Sequence, residues 1–118
     1  MQYILMTYVS ESLWPNLPAA EKEQRFAAAY GAFVEALQRA GAVKGMNRLR
    51  PTPEATTVRL ADGKTQVLDG PYADSKEQFG GYFLIDVPDL DAAISWASRC
   101  PAAEHGAVEV RPIWTMQG

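Results

Sequence analysis

The densest concentration of reactive side chains lies in Asp69-Gly70-Pro71-Tyr72-Ala73-Asp74-Ser75-Lys76-Glu77, which runs into Gly80-Gly81 and the apolar stretch Tyr82-Phe83-Leu84-Ile85. A rigid Gly-Pro corner followed by acids, a hydroxyl and an amine at a strand edge is the setting in which binding and catalytic groups tend to sit. Asp69 would serve as a general base if partial burial raised its carboxyl toward neutrality. The alternative is an Asx-type turn, with the carboxylate accepting local backbone N–H bonds. Lys76 could bind an anionic substrate, and Asp74 or Glu77 could move a proton. Equally, Asp74 could cap a single turn and leave Lys76 and Glu77 in water.

His105 is the only histidine and so the only side chain that titrates near neutrality unaided. Beside Asp69 it would complete an acid–base pair; otherwise it is a surface-loop histidine in a polar connection. Arg48, Arg59 and Arg111 fall on three expected strands, where each needs a carboxylate partner or a ligand anion. An ion pair between Arg111 and Glu109 is the preferred reading of the third. Met6, Tyr8, Met46, Phe79, Tyr82 and Trp114 could line a pocket, with core packing as the default. One histidine and one cysteine give no zinc set. Gly80-Gly81 lacks the strand–turn–helix setting that cradles nucleotide phosphates. No metal and no cofactor are therefore expected, and Cys100 reads as packed rather than nucleophilic.

These residues must be positioned by regular elements. Gln2 to Val9 is a strand that suits burial on both faces. A helix follows over 19–40, with Phe26, Tyr30, Phe33, Leu37 and Ala40 recurring at i+3 and i+4. Gly31 inside it costs about 1 kcal/mol relative to alanine, which suggests close packing at that point. A second strand over 42–49 is expected to be irregular near Gly45. Segments 56–60 and 65–68 flank Asp62-Gly63, a strong hairpin signal. A strand over 81–87 leads to Pro88-Asp89, which opens a second helix with Leu90, Ile94 and Ala97 inward. A last strand spans 107–113.

The order is β-α-β, a hairpin, then β-α-β, in one domain of 118 residues. Two helices cover only one face of such a sheet, which predicts an antiparallel, ferredoxin-like α+β fold that pairs with a second copy through the other face. A net charge of −3, with basic residues scattered among acids, argues against direct nucleic-acid binding. No apolar run approaches the ~20 residues of a membrane span. The lone cysteine and the immediate start of a strand lead to the expectation of a cytoplasmic protein.

The run DGPYADSKEQFGGYFLIDVPDLDAAISWA, followed by CPAAEHGAVEVRPIW and preceded by YILMTY and AAYGAFVEAL, resembles the YCII-related proteins of the DGPF-domain group. The likeness covers essentially the whole chain. Tyr72 stands where the family's name has phenylalanine, which keeps the ring and adds a hydroxyl. The resemblance implies a dimeric α/β barrel. Some members are proposed enzymes with an Asp-His pair, and others occur near or fused to sigma-factor regions. The leading expectation is a cofactor-free, homodimeric small-molecule enzyme or enzyme-like protein. Its site would comprise Asp69 and His105 for proton transfer, with Lys76, Asp74, Arg48, Arg59 and Tyr82 around the substrate. The rival is a non-catalytic ligand-binding or regulatory module associated with transcription.

Overall fold

The computed structural model describes residues 1–115. Six strands and three helices follow in the order β1 (Gln2–Val9), α1 (Ala19–Arg39), β2 (Val43–Arg48), β3 (Thr56–Ala61), β4 (Lys64–Asp69), β5 (Gln78–Asp86), α2 (Leu90–Arg99), α3 (Ala102–His105) and β6 (Ala107–Pro112). A single 3₁₀ turn, Thr52–Glu54, precedes β3. The main sheet has the order β2-β5-β1-β6 with every neighbouring pair antiparallel, and β3 and β4 form a separate two-stranded ribbon. This is the ferredoxin-like α+β arrangement that the sequence predicts. Among the described residues no helix is long and apolar enough to cross a membrane.

The core lies between the sheet and the helices. Along β1, Tyr3, Leu5 and Thr7 are buried while Ile4, Met6 and Tyr8 are half-buried on the opposite face. In β5, Phe83 and Ile85 are buried and Tyr82 and Leu84 are half-buried. This period of two means that one chain covers only one face of its sheet. Phe33 and Leu37 of α1 and Ala93 and Ala97 of α2 fill the covered side. Burying a side chain such as Leu5, Leu37 or Ile85 contributes about 1.5–3 kcal/mol each. Leu90 and Ile94 do not point inward as expected; both remain about half exposed. The small side chains of Ala93 and Ala97 give α2 its packing face instead, and Trp96 packs partly against the core. The Asp89 carboxylate accepts from the Ala92 N–H at 2.9 Å and caps the helix, which explains its start.

Asp62 and Gly63 both adopt positive φ, as a type I′ hairpin turn requires. Almost the whole hairpin is exposed, including Val58, Leu60, Val67 and Leu68. It projects from the body, and the radius of gyration is 16.3 Å, larger than the ~13 Å of a compact domain of about 100 residues.

Two irregularities shape the sheet. The β1–β5 register shifts at Thr7/Tyr8, where Gly80 forms a bulge, and the β2–β5 register shifts between Val43 and Gly45. A Cβ on Gly81 would stand 2.7 Å from the Asn47 carbonyl oxygen and 3.3 Å from the Arg48 Cα, so only glycine lets β2 approach β5 here. Gly106 is tighter still, because its Cβ would fall on the Tyr8 carbonyl oxygen. Gly31, by contrast, has no atom within 4 Å of an added Cβ, so close packing does not explain it. The two sites therefore respond to alanine in opposite directions. Gly31→Ala should stabilise the protein by about 1 kcal/mol, and Gly106→Ala should destabilise it by about 1–3 kcal/mol through backbone displacement. Urea denaturation of both variants checks the pair, and equal effects would contradict the packing described.

Candidate functional site

Sheet irregularity and helix placement together open a cavity of about 390 Å³ between the first half of α1 and the ends of β1, β2 and β5. Thr7 and Val9 form one wall, with Glu11 just beyond the strand; Phe26, Tyr30 and Val34 form the roof, and residues 46–49 and 80–83 complete it. The β5 bulge and the close approach at Gly81 set the width of the strand side. Bulges commonly sit beside sites because they re-aim neighbouring side chains. The roof is built by helical spacing: Phe26 and Tyr30, four residues apart, stack at 4.4 Å between ring centroids.

Polar groups punctuate this mostly apolar space. Arg48 donates from its two terminal nitrogens to the Glu23 carboxylate at 2.7 and 3.1 Å, while its guanidinium carbon stands 3.7 Å from the Phe26 ring centroid. The Arg48 hydrogen bonds and charge hold the Glu23 carboxyl below the usual carboxylate range. A depressed carboxyl keeps its ion pair through neutral pH and loses it only as pH falls through the lowered value. On the opposite face of the sheet, away from α1, Asn47 Nδ2 donates to the Tyr82 hydroxyl at 2.8 Å. The buried Thr7 hydroxyl is committed to the Gly81 carbonyl oxygen at 3.1 Å. Glu11 is the one carboxylate among the described lining residues. Its oxygens accept from the Thr52 N–H at 2.8 Å and from the Thr52 hydroxyl, tying the end of β1 to the 3₁₀ turn. Tyr30 also reaches Cys100, and burial raises both the phenol and the thiol, so neither ionises readily.

Of the residues singled out by sequence, Arg48 and Met46 face this cavity; Tyr82 borders it through β5 but pairs with Asn47 and sets its ring on the uncovered face of the sheet. The others lie elsewhere. Asp69 ends β4 opposite Thr56, is exposed, and makes no side-chain hydrogen bond or ion pair among the described residues. Arg59 stands over the exposed Tyr72 ring, with its guanidinium carbon 5.6 Å from the centroid. Asp74 and Lys76 are exposed in an irregular loop without a helical turn for Asp74 to cap. That loop is shaped instead by Ser75 Oγ donating to the Glu77 carbonyl at 2.6 Å and Gln78 Nε2 donating to the Ser75 carbonyl at 2.7 Å.

His105 is the last residue of α3, a short helix absent from the sequence expectation. Its ring lies 5.8 Å from the Trp14 ring beside a second cavity of about 180 Å³. Asp69 and His105 share no hydrogen bond or ion pair, and Asp69 lines neither cavity. Arg111 pairs with Glu109 at 2.7 Å, as preferred from the sequence. Cys100 is buried. Trp114 lines neither of the two cavities and is 91% exposed. Sequence reasoning passed over Glu11 and Tyr30. The double glycine was the available signal, since a bulge beside the strand that ends near Glu11 marks the cavity wall.

The Arg48–Glu23 pair is half exposed, so solvent screening leaves it little weight in stability. Glu23→Gln should leave the denaturation midpoint nearly unchanged while freeing the guanidinium for other acceptors. An Arg48 side-chain NMR signal that moves on substitution, together with an unmoved unfolding curve, is the expected result. A large stability loss would contradict it.

The domain model described as "YCII-related domain" matches residues 1–117 of this chain. An uncharacterized protein of Rhizobium meliloti (strain 1021) is 36% identical over 115 residues, covering 96% of this chain and 92% of the relative. Among solved structures, 5-chloro-2-hydroxyhydroquinone dehydrochlorinase from Burkholderia phenoliruptrix AC1100, in complex with 2,5-dihydroxybenzoquinone, aligns with a TM-score of 0.53. It covers 97% of this chain and 94% of its own, at 14% identity, a likeness of fold. With its sheet order, its bulged double glycine and a family match across nearly its full length, this chain belongs to the YCII-related domain family.

Proposed function

We propose that this protein binds a small aromatic anion in the larger cavity and acts on it as a cofactor-free, enzyme-like homodimer. The observation that carries this reading is Arg48, a cation held over the Phe26 ring at the edge of an apolar cavity of about 390 Å³. Small-molecule sites typically occupy about 300–1,000 Å³ and combine apolar walls with a few placed polar groups. Phe26, Tyr30 and Phe83 supply flat apolar surface, and Arg48 supplies the donors for a carboxylate or oxyanion. The fold-level neighbour in complex with 2,5-dihydroxybenzoquinone gives this reading a precedent in ligand size.

Proton transfer is assigned to side-chain carboxylates, with Glu11 at the cavity and Asp69, with His105, in the roles their chemistry allows. Asp69 acts on the ligand only if another copy, or a movement of the hairpin, brings it to the cavity. The homodimer is supported by the half-buried apolar row Ile4, Met6, Tyr8, Tyr82 and Leu84 on the uncovered face of the sheet. A second reading, a non-catalytic ligand-binding or regulatory module, is favoured by the exposure of Asp69 outside both cavities. Lys76, Asp74 and Arg59 would then contact a partner, such as a component of transcription.

Calorimetric titration with benzoate and its hydroxylated derivatives should show saturable binding. Arg48→Met should weaken it about 10- to 100-fold, the loss of a hydrogen bond to a charged group. Unchanged affinity would remove Arg48 from the site. Once a turned-over member is found, Asp69→Asn separates the two readings: abolished turnover with an unchanged unfolding midpoint supports catalysis, and unaltered turnover supports the binding module. Light scattering at micromolar concentration should give twice the monomer mass, and a stable monomer would contradict the homodimer.

A further inference from the structure

We propose that the smaller cavity, between α1 and α3, is a second binding site, one that takes a single neutral hydroxylated aromatic ring with its hydroxyl on the His105 imidazole. Its volume is about 180 Å³. An engineered apolar cavity of roughly 150 Å³ already accepts benzene, so one ring fits and two do not. Val9, Leu13, Trp14, Phe26 and Tyr30 make the walls apolar and largely aromatic. The polar side-chain groups on the lining are the Ser10 hydroxyl, the Trp14 indole N–H, the His105 imidazole and the Tyr30 phenol. The Ser10 hydroxyl is already engaged, 2.7 Å from the Ser12 hydroxyl.

His105 makes no hydrogen bond or ion pair among the described residues, and its one recorded partner is the Trp14 ring. A neutral imidazole offers one donor and one acceptor, which is the complement of a hydroxyl group. The indole beside it is held in a costly conformation. Trp14 has φ of +57°, a left-handed backbone that bulky residues rarely adopt. Such strain persists where the surroundings enforce it, and it concentrates at functional sites. Here the Arg25 guanidinium stands 5.3 Å over the indole centroid, and the Trp14 carbonyl accepts from the Leu17 N–H at 3.1 Å.

Ligand charge follows from the lining. Arg25 lies over the indole and is not among the cavity-lining residues, so no Lys or Arg among the described residues faces the space. A carboxylate would enter without a balancing guanidinium or ammonium, whereas a phenol hydroxyl carries no charge and can donate to or accept from one imidazole nitrogen. The two cavities share Val9, Phe26 and Tyr30 as a common wall, yet select different chemistry: an anion beside Arg48, and a neutral hydroxyl beside His105. The second site is tested by phenol binding alone, so its failure is distinguishable from failure of the proton-transfer role proposed for His105.

Phenol is the probe. Because His105 is the only histidine, its Cε1–H NMR signal reports on this cavity without ambiguity, and the Met46 methyl reports on the other. Phenol should shift the His105 signal saturably, and benzoate should not. Ala29→Phe, an exposed position on α1 at the cavity rim, should abolish the shift. His105→Ala, read at the Trp14 indole N–H, should weaken phenol binding by roughly fivefold, one net hydrogen bond. A non-saturating His105 signal, an unchanged midpoint in Ala29→Phe, or unchanged affinity in His105→Ala would each overturn the assignment.

Discussion

A continuous run of aromatic rings fixes where everything else can be. Phe26 stacks on Tyr30 at 4.4 Å, Tyr30 lies parallel to Phe83 at 6.2 Å, Phe33 meets Phe83 edge-on at 5.1 Å, and Phe33 reaches Trp96 at 6.3 Å. These contacts join α1 to β5 and α1 to α2 through one set of rings, each well-formed pair adding about 0.5–1.5 kcal/mol beyond its buried area. The spacing 26, 30, 33, 37 along α1 allows it, since residues three and four apart share a helix face. Both cavities depend on the same rings, because Phe26 and Tyr30 wall each of them. A rotation of α1 about its axis would close the two spaces together.

The other face of the sheet has no such cover. Ile4, Met6, Tyr8 and Leu84 line up on it, and Glu109 and Arg111 join them from β6. Apolar residues on both faces of β1 are consistent with two buried faces, but one chain with both helices on one side buries only the odd-numbered row Tyr3, Leu5 and Thr7. The exposed apolar side chains of the β3–β4 hairpin belong to the same imbalance. Larger exposed apolar surfaces mark interaction sites more often than they mark monomers.

The sequence expresses the fold through short-range physics. The Asp62-Gly63 turn, the Asp89 cap and the alternation of β5 each act within a few residues, so their signals survive without tertiary information. The face of α2 did not follow the same rule. Leu90, Ile94 and Ala97 share a stripe with the expected periodicity, but the depth available under the helix selects Ala93 and Ala97. That depth is set by strands distant in sequence. The candidate site was harder to read for the same reason. The charges from Asp69 to Glu77 are close in sequence, but the hairpin and loop carry them away from the cavity. Arg48 and Phe26 are far apart in sequence, and the packing of α1 on the sheet brings them together. Glu11 and Tyr30 are ordinary residues until the bulge at Gly80 creates a wall for them to face.

Arg48 combines two interactions of different durability. Its contact with the Phe26 face is fixed by the helix and the strand, and such cation–ring contacts remain attractive, though weaker, at exposed sites. Its ion pair with Glu23 lies in partly solvated surroundings, where screening and side-chain entropy leave little net stabilisation. The guanidinium is thus held in place by a ring and neutralised by a replaceable carboxylate. Under the proposed function, an incoming anion would take the place of Glu23 without moving Arg48 or disturbing the core. Positioning and charge compensation are supplied by separate residues, so such an exchange would carry a small cost to the fold.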